Sequence, residues 1–134
     1  MNIGLKANAQ AYNFFVIDDN MAMIKILSKL LTILGGNVIE WAMSGHEALK
    51  KIEPLKDQID CITCDVNMPG KLDGITLIPY LKNINPAFNI IMISAIADNA
   101  NISQSKAAGV DYFLDKPVRR EQLYNILKEV FKIP

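Results

Sequence analysis

Residues 13–23 read NFFVIDDNMAM. Asn13 to Ile17 reads as a strand, and its Phe14 to Ile17 is an apolar run without the polar alternation of a half-exposed strand. Two aspartates follow, and the pattern then turns helical at once, with apolar residues at Met23, Ile24, Leu27, Leu30, Leu31 and Leu34. A strand that is apolar on both faces is covered on both faces. Such strands belong to parallel sheets sandwiched between helix layers. The stretch therefore predicts a strand running directly into a helix. It also poses a question, because two like charges at the end of a buried strand repel.

The rest of the chain repeats the unit. Gly35 and Gly36 stop the first helix, which begins near Asn20. NVIEWAM (Asn37 to Met43) reads as a second strand. SGHE (Ser44 to Glu47) is a capping box opening a short helix that Pro54 closes. Ile59 to Asp65 reads as a third strand and Gly74 to Ile84 as a third helix, where Pro79 predicts a late start or a bend. Asn89 to Ser94 is a fourth strand, Asp98 to Ala108 a weakly amphipathic helix, Val110 to Asp115 a fifth strand, and Val118 to Lys132 a last helix. Five strands alternating with five helices predict an α/β fold, a doubly wound parallel sheet with helices on both faces. Residues 1–12 read as a loose arm before a single domain over 13–134.

Composition agrees with one ordered domain. The chain has 134 residues, 51% hydrophobic and 21% charged, and its 14 basic residues balance 14 acidic ones. That balance gives no footprint for direct nucleic-acid binding. No apolar run reaches the ~18 residues of a membrane span, and the start lacks the apolar core of a signal peptide, so a cytoplasmic protein is expected. Cys61 and Cys64 have the spacing of a redox pair but lie in IDCITCD, a strand. Residues three apart on a strand face opposite ways, so two buried structural thiols are expected. His46, the lone histidine, reads as a solvated residue at a helix start, and Arg119 with Arg120 as a partner-facing or solvated patch rather than a DNA contact.

In an open parallel sheet, ligands bind outside the carboxyl ends of the strands. Asp18 and Asp19 end the first strand, Asp65 the third, Ser94 the fourth, and Asp115, Lys116 and Pro117 the fifth. Carboxylates brought together raise one another's pKa, and a hard cation such as Mg²⁺, with its preference for oxygen ligands, relieves the repulsion.

Those strand ends carry a resemblance. DD after the first strand, DVNMPG after the third, SA after the fourth and DKP after the fifth resemble the receiver domain of two-component response regulators, the CheY-like family. The resemblance spans about Asn13 to Lys132 and implies the strand order 2-1-3-4-5. It implies Asp65 as phosphoacceptor, taking a phosphoryl group from a sensor histidine kinase or a histidine phosphotransfer protein. It implies Mg²⁺ (or Mn²⁺) held by Asp18, Asp19, Asp65 and the backbone carbonyl of Asn67, with Asp19 a direct ligand and Asp18 acting through water. Ser94 and Lys116 would bind the phosphoryl group, and Lys116 would precede a cis bond to Pro117. Phe113 matches the aromatic switch residue. A switched surface on the fourth helix, fifth strand and fifth helix would then act on a protein target, on an output domain, or on a second copy as a homodimer. On this reading the chain catalyses only its own phosphorylation and dephosphorylation and is otherwise no enzyme.

Three features depart from the family's pattern. MPGKLDG (Met68 to Gly74) is one residue longer than the usual turn. The switch aromatic is Phe, and on strand alternation Tyr112 faces the other way. Asn67 and Ile96 stand where the family tunes access of the hydrolytic water, and an apolar Ile96 predicts slow self-dephosphorylation. Rival readings of the same architecture are weaker. A flavodoxin needs a hydroxyl- and glycine-rich phosphate loop where this chain has DDNMAM. A haloacid-dehalogenase-type phosphatase wants D-x-D where this chain has D-D. A degenerate receiver, acting only as an interaction module, is the remaining alternative.

Overall fold

The computed structural model describes residues 1–68, 70, 72–95, 99–110 and 112–134, and for 99–101 the backbone alone. The elements are β1 (Asn13–Ile17), α1 (Met21–Ile33), β2 (Asn37–Ala42), α2 (Gly45–Ile52), β3 (Cys61–Asp65), α3 (Gly74–Ile84), β4 (Asn89–Ser94), α4 (Asn99–Ala107), β5 (Tyr112–Asp115) and α5 (Arg120–Val130). A single 3₁₀ turn, Glu53–Leu55, follows α2. All five strands are parallel in the order β2-β1-β3-β4-β5, as the resemblance implied.

Alternation along the strands sorts side chains into two cores. Phe14, Val16, Cys61, Ile91, Ile93 and Leu114 pack under α1 and α5, against Ile24, Leu27, Leu31, Leu123 and Leu127. Phe15, Ile17, Ile62, Cys64, Ile90 and Met92 face α2 and α3, against Ala48, Ile52, Leu77, Ile78 and Leu81. Each fully buried Leu or Ile contributes roughly 1.5–3 kcal/mol. The two free cysteines fall in different cores, so the redox-pair spacing brings no thiols together. Phe113 packs on the α2/α3 side and Tyr112 on the α1/α5 side, as alternation predicted.

The helix ends follow their sequence signals. Asn20 caps α1 by accepting the Met23 N–H at 3.2 Å, and Ser44 caps α2 by accepting the Glu47 N–H at 3.1 Å. Gly35 ends α1 with φ +96°, donating to Thr32 O while Gly36 donates to Leu31 O. Asp73 caps α3 through the Thr76 N–H at 2.9 Å. This cap holds the start of α3 at Gly74, so Pro79 does not delay it and instead sits exposed inside the helix. The last helix is shorter than expected, stopping at Val130, and Lys132 lies in the left-handed region at φ +53°.

The arm is not loose. Ile3 is 2% exposed in the α1/α5 core, and its N–H donates to Leu34 O at 2.8 Å. Residues 5–11 form a small hairpin with a bridge between Leu5 and Ala11. Lys6 pairs with Asp60 at 3.2 Å, and Tyr12 stacks on Phe131 with ring centroids 3.9 Å apart. One buried isoleucine and one long-range ion pair anchor a segment whose local pattern is polar. Among the described residues, no helix is long and apolar enough to cross a membrane.

Candidate functional site

The site is assembled by the ends of β1, β3, β4 and β5. β1 delivers Asp18, whose N–H extends the β1–β2 ladder to Ala42 O at 3.1 Å. Its Oδ1 accepts the Asn20 N–H at 2.9 Å, so the turn that caps α1 also orients this carboxylate. β3 delivers Asp65, whose Oδ1 accepts the Asn67 N–H at 3.2 Å. β5 delivers Lys116, whose backbone N–H donates to Ser94 O at 2.8 Å and whose bond to Pro117 is cis.

Glycine sets the depth of the pocket floor. A Cβ on Gly74 would collide with the backbone of Asp65 and would stand 2.8 Å from Val66 Cα. Only glycine lets α3 start against the end of β3. Across the pocket, a Cβ on Gly45 would come within 2.6 Å of Leu72 Cβ, so the lengthened loop packs through Leu72 on the first turn of α2. Pro69 and Lys71 of that loop lie outside the described residues, and so does Ile96.

The sequence-predicted acids meet. One oxygen from each of Asp18, Asp19 and Asp65 lies within 4.8 Å of the others. Asp18 and Asp65 are 5% and 4% exposed, whereas Asp19 opens to solvent. The Lys116 Nζ lies 3.1 Å from Asp18 Oδ2 and 3.4 Å from Asp65 Oδ2. Burial, and then the charge of Asp18, push the Asp65 carboxyl up to about 6, against the pull of Lys116 and the Asn67 N–H. Burial would lower the pKa of Lys116, yet its hydrogen bond to Asp18 and the charges of Asp65 and Asp18 hold it above the ordinary ammonium value.

Among the described residues, one ammonium therefore serves two buried carboxylates, with a third acid at the rim. The donor set is all oxygen, which suits a hard divalent cation with water completing its shell. Positive charge added beside Asp65 would offset the burial and the Asp18 charge that raise its pKa. The residues present fit Mg²⁺.

Ser94, buried at 5%, stands on β4 beside Ile93, the partner of Asp65 in the β3–β4 ladder. Half-buried Phe113 shares a small cavity with Ser94, Val66, Met92, Ile102, Ser105 and Leu114. Asn67 is exposed beside Asp65. His46, Arg119 and Arg120 are exposed on α2 and at the start of α5, outside this cluster. One contributor was missed by sequence reading: Gly74, which could have been inferred from Asp73-Gly74 at a helix start.

Comparison with known proteins gives one family. The model described as the response regulator receiver domain matches residues 14–128. The chemotaxis protein CheY of Treponema pallidum is 27% identical over 129 residues, 96% of this chain and 89% of that protein. The osmosensing histidine protein kinase SLN1 of Saccharomyces cerevisiae is 30% identical over 126 residues, 91% of this chain but only 10% of the kinase. The chain thus spans most of one relative and about a tenth of the other. Among solved structures, the CheX-CheY-BeF3-Mg+2 complex from Borrelia burgdorferi superposes with a TM-score of 0.89 at 29% identity, covering 96% of both chains.

Proposed function

The chain belongs to the response regulator receiver domain family of two-component signalling, and from that premise we propose that it is a phosphoacceptor whose nucleophile is Asp65. One observation carries this reading. Asp18, Asp19 and Asp65 converge within 4.8 Å, and Lys116 lies between the two buried acids. The arrangement favours a phosphorylation-dependent switch over a degenerate receiver, since structural ends of strands have no use for clustered repulsion.

In the proposed reaction an Asp65 Oδ attacks the phosphorus of a phosphohistidine on a histidine kinase or phosphotransfer protein. The new P–O bond makes an acyl phosphate. The P–N bond breaks, and the imidazole leaves with its electron pair and takes up a proton. Charge on the equatorial oxygens must be met by fixed positive groups and donors. Lys116 supplies the ammonium, and Ser94 supplies a hydroxyl that turns toward the phosphoryl oxygens. Asp18, Asp19, Asp65 and the Asn67 carbonyl would hold Mg²⁺, which when bound adds positive charge beside the transferring group. The reaction consumes Asp65 and hydrolysis restores it, so the chain acts on itself and turns over no separate substrate.

Movement of Ser94 toward the phosphoryl group opens space for the Phe113 ring. That would reshape the face made by α4, β5 and α5, where a groove of about 410 Å³ is lined by Ile102, Phe113, Leu114, Gln122, Asn125 and Ile126. A protein target, an output domain or a second copy would read that face. The test is to add Mg²⁺ and beryllofluoride and record amide spectra. We expect shifts around Asp65 and on β5 and α5 in the wild type and none in Asp65→Asn. An unchanged wild-type spectrum would overturn the reading.

A further inference from the structure

The helices are not held to the sheet equally. α1 buries Ile24, Leu27 and Leu31, α2 buries Ala48 and Ile52, α3 buries Leu77, Ile78 and Leu81, and α5 buries Leu123, Leu127 and Val130. α4 reads NANISQSKA and has one large apolar side chain, Ile102, which is only half-buried. Its fully covered residue is Ser105, whose Oγ has no hydrogen-bond partner among the described residues. Apolar burial docks a helix, and an unpaired buried hydroxyl subtracts from that gain. The two ends of α4 also differ. At its C-terminal end Val110 is buried and its N–H donates to Ser105 O at 3.0 Å, while Gly109, at φ +105°, donates to Lys106 O at 3.0 Å. This turn pins the end of the helix to the core, and Ile102 is the large apolar anchor for the rest. Beneath α4 lies the small cavity, with Ile102 and Ser105 on the helix side and Met92, Phe113 and Leu114 on the sheet side. It amounts to about 10 Å³, space for one water-sized sphere and far too little for a phenyl ring. β4 and β5 are tied to each other by their ladder. The wall that can yield to the ring is therefore α4.

We propose that α4 is a hinged wall of the switch: it swings off the sheet as one unit about Gly109 and Val110, and this opening admits the Phe113 ring. The inference rests on the phosphoacceptor reading of Asp65 and names the element that regulates that same site. Segments with little buried apolar surface open locally, without unfolding of the whole domain. A ligand shifts a two-state equilibrium only through what differs between the states. Docked α4 belongs to the resting packing. Whatever tightens its docking therefore opposes the phosphoryl-bound packing, and whatever loosens it favours that packing. Ser105→Ala removes an unpaired hydroxyl without adding bulk, so it tightens the docking. Ile102→Ala removes the anchor, so it loosens the docking. Both residues lie on α4, outside the acid cluster.

The test uses the whole chain with Mg²⁺, and compares amide hydrogen exchange with beryllofluoride dissociation constants from amide spectra. In the wild type, the amides of Ser103 to Ala107 are expected to be protected at least about a hundredfold less than those around Leu127 in α5. Equal protection of the two helices would mean that α4 opens only with the whole fold, and it overturns the proposal. Ser105→Ala is expected to raise α4 protection and to weaken beryllofluoride, each by about three- to thirtyfold. Ile102→Ala is expected to do the reverse, lowering α4 protection and tightening beryllofluoride by about tenfold. Should Ile102→Ala not fold, Ser105→Ala decides alone. Ser105→Ala with unchanged α4 protection overturns the proposal. So does a changed protection with a dissociation constant within about twofold of wild type, or tighter binding by Ser105→Ala. Failure of the phosphoacceptor reading is separately visible, as a wild type that does not bind beryllofluoride while its α4 amides still exchange fast.

Discussion

The two edges of the sheet each place an aspartate beside a lysine, and they use the pair in opposite ways. At the amino edge, the backbone and side chain of Asp60 are stitched into a row of polar strand starts. Its Oδ2 accepts the Asn13 N–H at 2.7 Å, its carbonyl accepts Asn89 Nδ2 at 3.1 Å, and Lys6 reaches the carboxylate at 3.2 Å. Asn13 Nδ2 donates to Gln58 O, and Asn37 Nδ2 donates to Asn13 Oδ1. At the carboxyl edge, Asp65 receives one backbone N–H and half a share of Lys116, faces two further acids, and is pushed up to about 6. The first aspartate is part of the scaffold. The second is held in a state that binding partners would relieve. Identical residue types at strand ends thus acquire different meanings from the number of donors each is given.

Four effects, ranked by size, break or sharpen that contrast. The largest effect is on binding. Asp65→Asn should abolish the beryllofluoride response, while Asp60→Asn, at the other edge, should leave the dissociation constant within about twofold in the same titration. The next effect is on stability, and the signs should differ. Urea unfolding of the metal-free protein should show Asp65→Asn more stable by on the order of 1–3 kcal/mol, since it removes a buried charge that its neighbours repel. Asp60→Ala should be less stable by about 1–3 kcal/mol, because it strips partners from the half-buried Asn13 N–H and the half-buried Lys6 ammonium.

The third effect is the pH dependence of the same unfolding. The Asp65 carboxyl titrates near 6 in the folded chain, above its usual value of about 3.9 in an unfolded one. Between those values the folded state binds more protons, so the stability of the metal-free protein should fall as pH rises from about 4 to 6. That slope should flatten in Asp65→Asn and persist in Asp60→Asn. The smallest effect is at the scaffold's surface. Lys6 and Asp60 are each about a quarter exposed in their side chains, so Lys6→Ala should cost only about 0.5–1 kcal/mol.

The carboxyl edge was readable in the sequence because each acid ends an apolar run. Phe14 to Ile17, Ile62 to Cys64 and Ile90 to Ile93 are covered on both faces, and a parallel sheet sends all their following residues to one edge. Asn20, Ser44 and the pair Gly35-Gly36 marked helix ends through local hydrogen bonds, and the structure uses them so. The amino edge was not readable. Lys6 and Asp60 are 54 residues apart, and Ile3 is a lone apolar residue in a polar segment, so neither has a periodic signature. The start of α3 was obscured by Pro79, whose missing N–H matters less than the Asp73 cap that fixes the first turn. Ser105 was invisible because a serine on a weakly amphipathic helix gives no sign of which way it faces.

The most direct test of Asp65 as phosphoacceptor is intact-mass spectrometry after incubation with acetyl phosphate and Mg²⁺. The wild type should gain one phosphoryl group, Asp65→Asn none, and Asp60→Asn one. A wild type that stays unmodified, or an Asp65→Asn variant that is modified to the same extent, would contradict the assignment.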